Sequence, residues 1–278
     1  MSTSPALPTP SPAAGILPFS AGAAIAYGWK RTWKHFGWLF LLGLAVSLLT
    51  SIANLLTSGT SLLSADLRDP ASVADALSQA SIGVLAIAGA VLQFLISIYV
   101  GIGLVRIALG ATAGQGIKLE RLFRFEGFGR YLGASLIVGL IVGFSVTVPI
   151  VAGLALTIVL EHIAYVLIAI PIALAIAIVL GVGFSMFGYL ILDQDIRGLG
   201  SLGASWRLVK PHFWGLIGLT ILLGLITVGI FVAAIILGVL LLIIGLLATI
   251  PLAATLILGI TMLSQGYAYR TLSGQPVL

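Results

Sequence analysis

Few side chains in this sequence could do chemistry, and each stands nearly alone. "DQD", Asp193 to Asp195, sets two carboxylates two residues apart, a pattern able to grip a divalent cation. Glu161-His162 is the one acid beside a histidine, the elementary pair for general-base work or a zinc ligand. His35 and His212 are the other two imidazoles. "GLGSLG", residues 198 to 203, spells the G-x-G-x-x-G of a dinucleotide-binding turn. There is no cysteine, so disulfides, thiolate metal sites and a cysteine nucleophile are excluded.

Each of these has a plainer use, and the plainer use is favoured. Asp193 and Asp195 suit a polar helix end, with Asp195 as cap of the helix that follows. Glu161-His162 has no second acid or imidazole near it in sequence. The glycine motif needs a strand before it and an acid about 20 residues after it. Here an apolar segment precedes it and residues 218 to 225 are apolar, so a flexible turn is expected. Gln93 stands in the middle of an apolar run, where a lone amide is costly; it is the candidate intramembrane polar site and should face other helices. No catalytic residue, metal or cofactor is expected.

The elements that would position these groups follow from composition. Of 278 residues 60% are hydrophobic and 8% charged, with a mean hydropathy of +1.23. A soluble domain carries about 25% charged residues to hydrate its surface. This surface faces something other than water. Strands of a membrane barrel would alternate apolar and polar residues, whereas the apolar runs here are continuous and long, so helices are the spanning element.

About 20 apolar residues cross a bilayer. Six spans are expected, near 36–57, 82–109, 131–158, 163–191, 213–238 and 242–265, the last two separated by a turn within Gly238 to Gly245. Residues 1–18 read as a disordered tail, and 19–278 as a single domain. With the N-terminus inside, twelve of the 13 Lys and Arg, all but Arg68, fall on the cytoplasmic side. Asp66, Asp69, Asp75 and Glu161 fall outside. That division is the positive-inside pattern, with both termini cytoplasmic. Asp69-Pro70 should start a short surface helix before the second span. Gly139-x-x-x-Gly143 should allow close helix approach, and Pro149, Pro171 and Pro251 should kink their helices.

The chain also repeats itself. Laying Trp29 on Trp206 without gaps puts Lys30 on Arg207, His35 on His212, Phe36 on Phe213 and Leu39 on Leu216. A weaker copy, "KLERLFRFEGFGRYLG" at 118 to 133, matches Phe128-Gly129 to Phe36-Gly37. Repeats of about 19–109, 115–191 and 196–278 follow. Each opens with aromatic residues on one helical face and cations on another, the composition of a helix lying in the headgroup layer. The lipid-facing residues are Trp29, Lys30, Arg31 and Lys34 in the first copy, Arg121, Arg124 and Arg130 in the second, and Trp206, Arg207 and Lys210 in the third. Pro211 should end the third lead-in and open the next helix. The expected fold is thus an all-α membrane bundle: six transmembrane helices in three hairpins, each preceded by an amphipathic interfacial helix.

The run "YLILDQDIRGLGSLGASWRLVKPHFWGLIGL" followed by "GYAYRTLSG" resembles the membrane domain of some bacterial glycerophosphoryl diester phosphodiesterases and related polytopic families. The resemblance is best over residues 185 to 274. It implies a multi-helix module in a bacterial inner membrane. Catalysis in those phosphodiesterases belongs to a separate soluble barrel, which none of these 278 residues supplies, so enzymatic activity is not implied. The expectation is a non-enzymatic module engaging anionic lipid headgroups or a membrane partner, and not nucleic acid. A small-solute transporter is the runner-up, weakened by the lack of acids or cations within the spans for ion coupling.

Overall fold

A computed structural model describes residues 19–65, 73–124, 126–196 and 198–278. Every regular element among them is helical. The disordered-tail, Asp69-Pro70 and Arg197 expectations lie outside the described residues.

Helix α1, Ala21–Lys34, starts where the Ser20 hydroxyl accepts from the Ala23 N–H at 3.4 Å. His35 leaves helical geometry, and the chain turns by 92° into α2, Phe36–Ala65. The long α3, Val73–Thr112, ends on Gly114 at φ 76°, a left-handed stop that a glycine adopts without a Cβ penalty. After a 3-10 turn, Leu119–Phe123, comes α4, Phe128–Leu160. Helix α5, Ala164–Gly183, runs through a short break into α6, Phe187–Gln194. Helix α7, Leu199–Val209, leads through a 3-10 turn at Lys210–His212, with Pro211 in its first positions, into α8, Phe213–Leu240. The apolar run reverses at Leu241, inside the expected window, and α9, Leu242–Leu272, completes the chain.

Five helical segments are long and apolar enough to cross a membrane, or six if α1 and the first half of α2 count as one bent span. Their surfaces agree with that solvent. Phe144 is 74% exposed and Leu240 is 73% exposed, in helices whose neighbours are equally apolar. Water does not tolerate a contiguous apolar surface of this extent on a folded monomer.

Helix α2 packs on α3, α4 on α5 and α8 on α9. The compact core is gathered at the end of the bundle that holds most of the basic residues, called the basic end below. There Leu39, Ile107, Leu122, Met186, Leu263 and Tyr269 are wholly or almost wholly buried. Glycines set the close approaches. A Cβ on Gly28 of α1 would sit 2.8 Å from the Ile260 carbonyl oxygen of α9, and one on Gly153 of α4 would sit 3.0 Å from the Tyr165 carbonyl oxygen of α5. Gly139 and Gly143 differ from expectation. Nothing lies within 4 Å of a Cβ at either, and the close approach of α4 to α5 is made at Gly153.

The segments that precede α2, α4 and α8 share an order. The 3-10 turn 119–123 packs on α3, α7 packs on α4, α5 and α6, and α1 packs on α8 and α9. Each lies on the helices that precede it, and α1 closes the ring by lying on the last ones. Their shapes differ: α1 meets α2 at a right angle, the middle segment is one short turn, and α7 continues with α8 as a 42-residue apolar segment.

Candidate functional site

The helix ends at the basic end are tied by hydrogen bonds among few residues. Tyr269, fully buried, donates its hydroxyl to Asp193 Oδ2 at 2.7 Å, and Gln275 Nε2 donates to the same oxygen at 2.6 Å. Gln194 Nε2 donates to the Tyr269 hydroxyl at 3.4 Å, and Tyr189 stacks on Tyr269 with centroids 5.1 Å apart. Arg270 Nε donates to Thr112 Oγ1 at 2.8 Å, while Nη2 donates to the Leu109 carbonyl at 3.1 Å. The guanidinium thus caps the carbonyl-rich end of α3, where positive charge is favoured. The "DQD" carboxylates are divided: Asp193 serves this network, and Asp195 forms an ion pair with Arg130. Asp195 does not cap α7. Gly198, at φ 53°, takes the N-cap position, and no side chain caps there. The rest of "GLGSLG" is helix rather than a turn. No cluster of three acids or histidines able to hold a metal occurs among the described residues.

The basic residues separate into two groups by what they touch. Arg31 donates to the Leu278 carbonyl oxygen and lies 5.4 Å from the centre of the Tyr27 ring. Arg121 donates to Gln115 Oε1 and covers Gly110, while Arg106 donates to the Arg124 carbonyl. These hold the fold together. Lys30, Lys34, Arg207 and Lys210 are exposed, and among the described residues the one ion pair belongs to Arg130. Beside Lys30 and Lys34 the exposed rings of Trp29 and Trp33 meet at 6.1 Å, and Trp33 stacks on Phe36.

At the other lead-in a cavity of about 400 Å³ opens between the end of α5 and the α7–α8 junction, lined by Val179, Trp206, Lys210, His212 and Trp214. Trp206 forms its wall because Gly183 leaves room for the indole and Phe184 packs at 6.3 Å from it. His212 is steadied by Phe19, edge to face at 6.5 Å. The lining combines a cation and an imidazole with aromatic and aliphatic groups. Such a site suits an anion attached to an apolar chain. His35, the matching imidazole, sits at the bend between α1 and α2. Glu161 is the left-handed residue that ends α4, beside exposed His162.

Gln93 lies half-buried in α3, with Ser97 Oγ donating to its backbone carbonyl at 2.8 Å. Its side-chain Oε1 is buried and has no hydrogen-bond partner among the described residues. Sequence reasoning missed Tyr269, Arg270 and the two Gly-Gln pairs that end α3 and α9. Gly114-Gln115 and Gly274-Gln275 make the same closure: Gln115 N–H to the Gly110 carbonyl at 2.9 Å, and Gln275 N–H to the Arg270 carbonyl at 2.8 Å. The recurring "Gly-Gln" after a helix was the available signal.

No family model, curated protein or solved structure matches this chain.

Proposed function

We propose that the chain is a non-enzymatic, multi-pass inner-membrane module that holds anionic lipid at its cytoplasmic face through three related lead-in segments. Six spans in three hairpins, with both termini cytoplasmic, fit the charge division along the sequence. The repeat is supported by register: Phe36, Phe128 and Phe213, the three aligned phenylalanines, each open a helix. The ring order of the lead-ins supports an approximate threefold arrangement. The observation that carries the lipid reading is the cavity of Trp206, Lys210, His212 and Trp214. Its lining combines positive charge with apolar and aromatic walls, the two chemistries of an anionic lipid.

Two experiments bear on this. Spin-labelled phosphatidylglycerol and phosphatidylcholine should be compared for association with the reconstituted protein by electron spin resonance. The wild type should prefer the anionic lipid, and replacing Arg207 and Lys210 by Gln together should lower that preference severalfold at low salt, at about 1 kcal/mol per cation. The gap should narrow as salt screens it. Equal preference at low salt in wild type and variant overturns the reading.

Orientation is checked separately by single cysteines, introduced without interference into a chain that has none. Positions 75 and 161 should react with an impermeant reagent from outside, and 30, 124, 207 and 274 only from inside. Labelling of 207 or 274 from outside overturns the topology.

A further inference from the structure

A second cavity, also of about 400 Å³, lies between α3, α4, α6 and α9. Its polar lining is the Tyr131 and Tyr189 rings, Thr261 and Gln265, and the rest is glycine and aliphatic. No charged side chain lines it.

Its depth follows from helix rise. Gln265 is five residues and Thr261 nine residues from Arg270, about 7 Å and about 13 Å below the basic end at 1.5 Å per residue. The cavity thus runs from beside the charged end of the bundle toward the apolar stretch of α9. A polar group that faces lipid tails needs a partner from the protein or from a ligand, because the tails supply none.

The protein does not supply partners here. Tyr189 is only 4% exposed and its ring stacks on Tyr269, yet its hydroxyl makes no hydrogen bond among the described residues. Nor do the half-buried Tyr131 and Thr261 hydroxyls or the amide of Gln265, which is exposed at the cavity's open side, although Thr255 and Thr271 in the same helix bond back to carbonyls one turn earlier. Tyr131 is held in place by two glycines. A Cβ on Gly188 would fall 2.7 Å from its ring, and one on Gly101 would fall 3.6 Å from its hydroxyl oxygen. Phe187 packs beside it at 5.3 Å. Four groups that can donate and accept therefore converge on one space, two of them on rings fixed by packing.

We infer that this cavity binds an uncharged polyhydroxyl group, of sugar or polyol chemistry. Hydroxyls of such a ligand can both donate to and accept from the two phenols, the amide and the threonine, and a sugar's apolar face suits a tyrosine ring. An ionic ligand would find no counter-charge in the lining. A volume of about 400 Å³ is in the ordinary range for small-molecule sites. The group could arrive as a free solute or as the head of a neutral glycolipid, and the chemistry of the wall is the same for both. The inference is independent of the anionic-lipid reading, since it uses different residues and no charge.

The test uses the full chain in phosphatidylcholine nanodiscs. One arm adds monoglucosyl diacylglycerol to the bilayer, and native mass spectrometry scores the lipid retained. The other titrates free glucose by calorimetry. Tyr189→Phe, Tyr131→Phe and Gln265→Leu each remove hydrogen-bonding groups with little change of volume. Melting curves show that each variant is folded. Retention of the glycolipid, or binding of glucose, should fall roughly tenfold in each variant. A positive glycolipid arm identifies a lipid head as the ligand. A positive glucose arm identifies a free solute and gives the transporter reading its substrate. No binding in either arm, or binding unaltered by all three variants, leaves only water in the cavity and overturns the inference.

Discussion

Replacing Gly28 with alanine will detach α1 from α9. The new Cβ would sit 2.2 Å from Ser264 Oγ, 2.8 Å from the Ile260 carbonyl oxygen and 3.2 Å from the Ser264 nitrogen. The hydroxyl could rotate away. The carbonyl and the nitrogen belong to the backbone of α9 and cannot move without unwinding it. The contact extends beyond one residue, since Ala24 and Thr32, one turn to either side, are completely buried in the same seam. Overpacking of this kind costs about 3 kcal/mol, which corresponds to a Tm lowered by roughly 10 °C for a chain of this size. A cysteine placed at Ala24 should become reactive in the Gly28→Ala background and stay protected without it. Gly224→Ala is the control. Nothing lies within 4 Å of its Cβ in mid-α8, and alanine there should leave the melting point unchanged or raise it. Equal melting of the two variants would show that α1 does not depend on this contact.

Arg270→Ala should have an effect of similar size for an electrostatic reason. Three acceptors share this guanidinium: Thr112 Oγ1, the Leu109 carbonyl and, through Nη1 at 3.3 Å, the Pro276 carbonyl. Removing it leaves the last turn of α3 without its positive cap and releases the segment that returns Leu278 to α3. The Leu278 N–H donates to the Thr112 carbonyl at 3.0 Å, so α3, α9 and the last residues loosen together. Hydrogen bonds from a charged donor are worth about 1.5–3 kcal/mol each and are not additive, so a total near 3 kcal/mol is expected for the variant. Arg270→Lys should recover only part of it, because an ammonium does not reproduce the fork that spans these acceptors. Hydrogen exchange at the Gln275 and Leu278 amides should rise sharply in Arg270→Ala and by less in Tyr269→Phe. In the latter, Asp193 keeps Gln275 as a donor. Unchanged exchange in Arg270→Ala would remove the cap from the account.

The lipid reading and the sugar reading draw on opposite properties of the same bundle. Around Lys210 and His212 the wall is cationic and aromatic. Around Tyr131 and Tyr189 it is neutral and hydroxylic. Salt should therefore weaken the first site and leave the second unaffected.

Sequence alone indicated the class of this protein, an all-helical chain with helices long and apolar enough to cross a membrane. Continuous apolar runs with so few charges admit only helices in lipid, because backbone polar groups must be satisfied within the segment. It also located most helix ends, since charged and aromatic residues, Pro211 and the reversal near Leu241 are local signals. The tertiary structure decided which local signals were used. Gly139 and Gly143 read as a contact face, yet Gly28, Gly153 and Gly183 carry the close approaches. A small-residue spacing permits contact but does not name a partner. Asp195 read as a helix cap, but an arginine 65 positions earlier claims it. Tyr131, Tyr189, Thr261 and Gln265 are scattered over 135 positions of apolar sequence without a shared motif. Only the packing of four helices turns them toward one cavity, because convergence in a bundle depends on helix rotation and crossing, which are set by contacts far apart in the chain.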